Sequence, residues 1–122
     1  MGETVTITIP AKAEHLLVVR LAASGICSRL GMGIEQMEDT KAAVAEACLV
    51  MIHDRQGFER LEITFVYSDS LRVSVDGRNP GVLTAREEDI DADLSLALLE
   101  ALTEQLTVAP GQVTFLARGD NR

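Results

Sequence analysis

The chain has 122 residues, enough for one hydrophobic core and too few for two ordinary domains, so a single domain spanning residues 1–122 is expected. Hydrophobic residues make up 47%, which excludes disorder, while aromatics are only 3% with no Trp, which leaves Leu, Val, Ile, Ala and Met to build the core and offers no stacking platform for single-stranded nucleic acid. A formal net charge of -8 repels phosphate backbones and suits instead a protein partner that presents positive patches.

Residues 4–10 alternate, with Val5, Ile7 and Ile9 on one side and Thr4, Thr6 and Thr8 on the other. This period of two predicts a half-buried strand ended by Pro10. Residues 12–30 read as a helix: Leu16, Val19, Ala23, Ile26 and Leu30 recur at spacings of three and four, with Leu17 and Leu21 beside them. Gly31 is a natural helix terminator. Residues 34–53 form a second helix on the stripe Met37, Thr40, Val44, Ala47 and Met51, with Glu35, Glu38 and Asp39 at the positive end of its dipole. A turn over residues 54–58 leads to two strands, 59–67 and 71–75, joined by Ser68-Asp69-Ser70. Residues 76–88 read as a loop. A third helix is expected over 90–106 on Leu94, Leu98 (and Leu99), Leu102 and Leu106, then a hairpin of 107–109 and 112–117 around Pro110-Gly111. Short connections make the sheet mostly antiparallel, and three amphipathic helices bury their stripes most simply on one face of it. The expected fold is therefore α+β, a two-layer α/β sandwich.

No stretch reaches the ~20 apolar residues of a membrane-spanning helix, and the acidic N-terminus lacks the basic start and apolar core of a signal peptide. A cytoplasmic protein without membrane contact is expected. Cys27 and Cys48 lie in apolar helical patterns and read as buried reduced thiols. His53 suits the negative end of the second helix, and neither it nor His15 has a second metal ligand at helical spacing.

Several segments resemble a known family. Ile9-Pro10-Ala11-Lys12-Ala13-Glu14, Val18-Val19-Arg20-Leu21, Ala23-Ser24-Gly25 and Ser28-Arg29-Leu30-Gly31 are similar to the opening of RsbW/SpoIIAB-type anti-sigma factors. Glu38-Asp39, Lys41, Ala43-Val44 and Glu46-Ala47-Cys48 stand at that family's spacing. The likeness is specific from Val5 to Cys48 and is a pattern beyond Val50. It implies the histidine-kinase-like ATPase fold. It also implies a serine kinase that holds a sigma factor, phosphorylates a STAS-type antagonist and commonly pairs as a homodimer.

Carried over residue by residue, the resemblance implies a nucleotide site with departures. In the family, Glu-Ala-Cys is followed by Thr-Asn, the Glu serving as general base and the Asn oxygen helping to hold Mg²⁺. Here Glu46 stands, but Val50 replaces the Asn and offers hydrocarbon to an ion that takes oxygen ligands. The family's Asp-x-Gly, whose Asp reads adenine, becomes Asp76-Gly77, with the Gly one position early. The phosphate-receiving Gly-x-Gly ahead of the last helix becomes Asp93-Leu94-Ser95, and the lid-forming loop before it is short. A carboxylate about 4 Å from a phosphate costs roughly 4 kcal/mol at an effective dielectric near 20, or about three powers of ten in affinity. The resulting expectation is a domain that binds a sigma factor, a STAS-type antagonist or a paralogue without productive use of ATP and Mg²⁺. The alternative is an active serine/threonine kinase. Glu46 is then either a residual base or a carboxylate kept for an ion pair or a helix-end hydrogen bond. The run Glu87, Glu88, Asp89, Asp91 and Asp93 is either a solvated acidic segment or a dock for a basic partner.

Overall fold

A computed structural model describes residues 2–81 and 92–119. The element order is β1 (Glu3–Pro10), a 3-10 turn (Ala13–His15), α1 (Leu16–Arg29), α2 (Ile34–Ile52), β2 (Phe58–Tyr67), β3 (Leu71–Pro80), α3 (Ala92–Leu102), β4 (Thr103–Ala109) and β5 (Gln112–Ala117). The five strands form one sheet in the order β1-β2-β3-β5-β4, with every neighbouring pair antiparallel. The helices cover one face, giving the expected two-layer sandwich.

Alternation in the strands sets the faces. Leu61, Ile63, Phe65, Val73, Val75, Val113 and Phe115 are buried against the helices. Their neighbours Thr64, Ser74 and Thr114 stand opposite one another on the other, open face. α2 is the middle helix, with α1 and α3 on either side of it. Its Ala43, Ala45 and Ala47 are fully or almost fully buried, because small side chains let a helix be flanked closely on both sides. The α1 stripe is as expected, with Val19, Ala23, Ile26 and Cys27 buried, while Leu17 and Leu21 face outward. Gly31, at φ 70°, ends α1: Met32 N–H donates to Cys27 O and Gly31 N–H to Ser28 O, both at 3.1 Å.

Three boundaries differ from the sequence reading. The first helix begins as a 3-10 turn, and α1 proper starts at Leu16. β3 continues through Pro80, since Asp76, Gly77 and Arg78 pair with Glu62, Leu61 and Arg60 of β2; their turn-prone composition is overridden by that ladder. α3 stops at Leu102, because Thr103 pairs with Ala117 and opens β4. The Thr103 hydroxyl donates to Leu99 O at 2.6 Å, closing the helix end as the strand begins. Leu99 is the buried residue of α3, and Leu98, placed on the core stripe by spacing, is exposed. Residue 90, the expected helix start, lies outside the described residues.

Candidate functional site

Glu46 and Val50 lie one turn apart on α2 and so share a face of that helix. Glu46 is half-exposed and makes neither an ion pair nor a hydrogen bond among the described residues. The ion pair or helix-end bond considered for it is therefore not found there. Val50 is half-buried and packs against the core. Between them the Cys48 thiol is buried, and that burial pushes its pKa up to about 12. Cys27 is likewise raised by burial, opposed by a hydrogen bond with Thr40 and by the charge of Lys41.

On β3, Asp76 and Gly77 point to opposite sides of the sheet. Val75 is buried against the helices, so the pleat puts Asp76 on the open face. There its carboxylate accepts a hydrogen bond from Gln112 Nε2 at 2.7 Å. Arg78, two residues on, donates to Glu62 at 2.9 Å on the same face. Gly77 faces the helices. A Cβ at this position would stand 2.4 Å from the Phe58 ring, so no residue larger than Gly fits beneath it. A Cβ on Gly111 would meet the same ring at 3.4 Å. Phe58 therefore lies over two glycines at the end of the sheet where α2 finishes, and it is buried with the core. The glycine next to Asp76 is explained by this packing.

At the start of α3, Asp93 is exposed in the first turn and Ser95 is half-buried. Glu87, Glu88, Asp89 and Asp91, with the expected lid segment, lie outside the described residues. His53 caps the C-terminus of α2 as its position suggested. Among the described residues no group of three His, Cys, Asp or Glu side chains could hold a metal ion, and no helix is long and apolar enough to cross a membrane.

The other end of α2 is open. A cavity of about 430 Å³ lies beside Ile34, Glu35, Asp39 and Arg118. A second, of about 220 Å³, lies beside Met32, Asp69 and Leu71. Both are lined by Gln36, Arg118 and Gly119, so they run together as one groove. Gln36 Nε2 donates to Arg118 O at 2.7 Å and ties the end of β5 to α2.

No protein-family model matches the chain. Curated relatives do. The chain is similar to the serine-protein kinase RsbW of Listeria monocytogenes, 36% identical over 124 aligned positions that cover 87% of this chain and 79% of the relative. The chain belongs to the RsbW/SpoIIAB-type family. The serine-protein kinases RsbW of Bacillus mycoides and Halalkalibacterium halodurans are 37% and 42% identical over 76 positions, 60% of this chain. Against these two the chain spans about half the relative's length, 48% and 46%.

Set in the RsbW-type family, the site residues divide between two layers. Glu46 and Val50 sit on the helical layer, and Gly77 faces it. Asp76 is separated from them by the thickness of the sheet. A ligand lying between α2 and the sheet would meet Val50, Phe58 and Gly77 and would not meet the Asp76 carboxylate in this conformation. Phe58 and Gln112, which decide this arrangement, were not singled out from the sequence. Their partners Gly77 and Asp76 are distant along the chain, and no periodicity reports such contacts.

Proposed function

We propose that this chain is a regulatory, protein-binding member of the anti-sigma factor family that does not bind Mg-ATP productively. The observation that carries the reading is the pairing of Asp76 with Gln112 on the open face while the Phe58 ring covers Gly77 on the helix face. Val50 adds a hydrocarbon where the metal needs an oxygen, and Asp93 adds a carboxylate to the first turn of α3 where phosphate would lie. These residues do not fit Mg-ATP. The partner is a sigma factor, a STAS-type antagonist or a kinase-competent paralogue, met in the cytoplasm. The outward face of α1, with Leu17, Val18 and Leu21 at 66%, 52% and 64% exposure, supplies an apolar surface for such contacts or for a homodimer.

The test is thermal unfolding with and without millimolar Mg-ATP or Mg-ADP. A ligand at 100 times its dissociation constant stabilises by about 2.7 kcal/mol, on the order of 10 °C for a domain of this size. A Tm unchanged within about a degree is expected, and a shift near the larger figure would sink the proposal.

A second reading, an active serine/threonine kinase, rests on Glu46. Its carboxylate is half-exposed and free of partners among the described residues, as a base must be. It predicts phosphate transfer to a STAS-type antagonist that Glu46→Gln abolishes. No transfer from the unmodified chain in the presence of Mg-ATP ends this reading.

A further inference from the structure

The groove at the N-terminal end of α2 has an apolar side and acidic walls. Ile34 is 82% exposed at its rim, and Met32 lies half-buried along it. Glu35 and Asp39 stand one turn apart on one face of α2. Asp69 approaches from the β2–β3 turn on the other side. Among the described residues these three carboxylates share the lining with a single cation, Arg118, and no ion pair takes up any of the four. Glu38, the next acid along α2, is by contrast paired with Lys41 at 3.0 Å.

We infer that this groove is a docking site for a basic segment of a protein partner, with an apolar side chain between its cations. Charge selects the occupant. The walls carry opposite charge to such a segment, and a second copy of this chain brings a net charge of -8 that the walls repel. The apolar residue of the segment covers Ile34 and Met32, and its cations reach Glu35 and Asp39 on one side and Asp69 on the other. This inference rests on the protein-binding reading but not on the fate of nucleotide, because the groove lies at the end of α2 away from Glu46 and Val50.

The experiment titrates the isotope-labelled full chain with the peptide Gly-Lys-Lys-Leu-Arg-Lys-Gly and follows amide shifts, without nucleotide. Shifts are expected at residues 32–39, 69–71 and 117–119, and binding should weaken as salt rises from about 0.01 M to about 1 M and the Debye length falls from about 30 Å to about 3 Å. The double variant Glu35→Lys, Asp39→Lys should weaken binding at least about tenfold, and Ile34→Ser severalfold. A peptide with Ser in place of Leu should bind severalfold more weakly. Val108→Ser, at an exposed position of β4 outside the groove, should leave peptide binding unchanged. Shifts confined to α1 or to residues 46–58, or equal binding of the Leu and Ser peptides, would overturn the inference. So would tighter binding by a chain shortened to Gly119, which would make the occupant the chain's own end. Loss of a dimer on Ile34→Ser, seen by sedimentation, would make it a second copy. The Mg-ATP measurement decides the reading beneath it separately.

Discussion

Near its C-terminal end α2 carries Met51, which shares the core with Phe58, and Val50, which packs against that core, whereas at its N-terminal end Ile34 and Glu35 overlook a groove. At the first end Asp76 is paired with Gln112 across the sheet, on its open face, while Glu46 on the helix makes no ion pair among the described residues. At the second end three carboxylates face one cation with no ion pair among the described residues. The first end is where the family resemblance puts nucleotide, and it has the character of a packed core. The second is an acidic groove with an exposed apolar rim, where we infer that a basic segment docks.

The sharpest way to break this contrast is to remove the ring. Phe58→Ala should cost about 3–5 kcal/mol, as large-to-small changes of a buried aromatic do, lowering Tm by roughly 12–20 °C. Gly77→Ala should cost about 1–3 kcal/mol by overpacking. In the Phe58→Ala background that second penalty should largely vanish, since the two groups occupy the same space, giving a coupling above about 1 kcal/mol in a double-mutant cycle. Additive losses would mean that the ring does not fill this end. Mg-ATP stabilisation of Phe58→Ala alone would mean that it fills a nucleotide pocket that is otherwise intact.

The buried thiols of α1 and α2 give the next effect. Cys48 is held neutral up to about pH 12 and Cys27 is shifted in the same direction, whereas thiols in the unfolded chain ionise near the ordinary value of 9.0. The unfolded state thus loses protons first. Stability is intact below about pH 9 and falls as pH rises toward 12, by roughly 1.4 kcal/mol per pH unit for Cys48. Unfolding at pH 8 and pH 10.5 should show the loss, and Cys48→Ala should reduce it, leaving the part due to Cys27. A slope indifferent to that substitution would place the thiol in contact with water.

Asp76→Ala should cost less, about 1 kcal/mol, since it strips Gln112 of a half-buried acceptor. Asp76→Asn should recover part of the loss, because an amide oxygen still accepts from Gln112 Nε2. Both effects belong to stability measured without nucleotide. If Asp76 instead read adenine, the same substitutions would leave the apo Tm unchanged and lower it only when ATP is supplied.

Local periodicity made most of the fold legible. The alternation of Val5, Ile7 and Ile9, and the stripe Thr40, Val44, Ala47 and Met51, are short-range patterns that tertiary packing only confirms. The end of α3 was not legible in this way. Leu94, Leu98, Leu102 and Leu106 keep helical spacing through a boundary that is set by Thr103 pairing with Ala117 from another part of the chain. The hydrocarbon at Val50 could be read from the residue itself. The side of the sheet on which Asp76 stands could not, because its parity is defined only once β3 is known to run past Val75, and that depends on pairing with β2 and β5. Phe58 over Gly77 and the groove between two turns and the end of β5 are contacts of the same non-local kind.

The smallest expected effect tests the open end. Ile34 is the first residue of α2 and 82% of its surface meets water, so Ile34→Ser removes little buried area. Gly33 caps the helix without a side-chain bond, and Met37 N–H donates to Gly33 O at 2.9 Å, a contact the substitution does not touch. The change in stability should stay within about 0.5 kcal/mol, as for exposed positions generally, while docking of the basic peptide weakens severalfold. A loss of stability near that of a core residue would show that Ile34 is covered within its own fold, and the difference between the two ends of α2 would disappear. A neutral Tm with weakened docking is the separation of stability from binding that an interface residue produces and a packing residue does not.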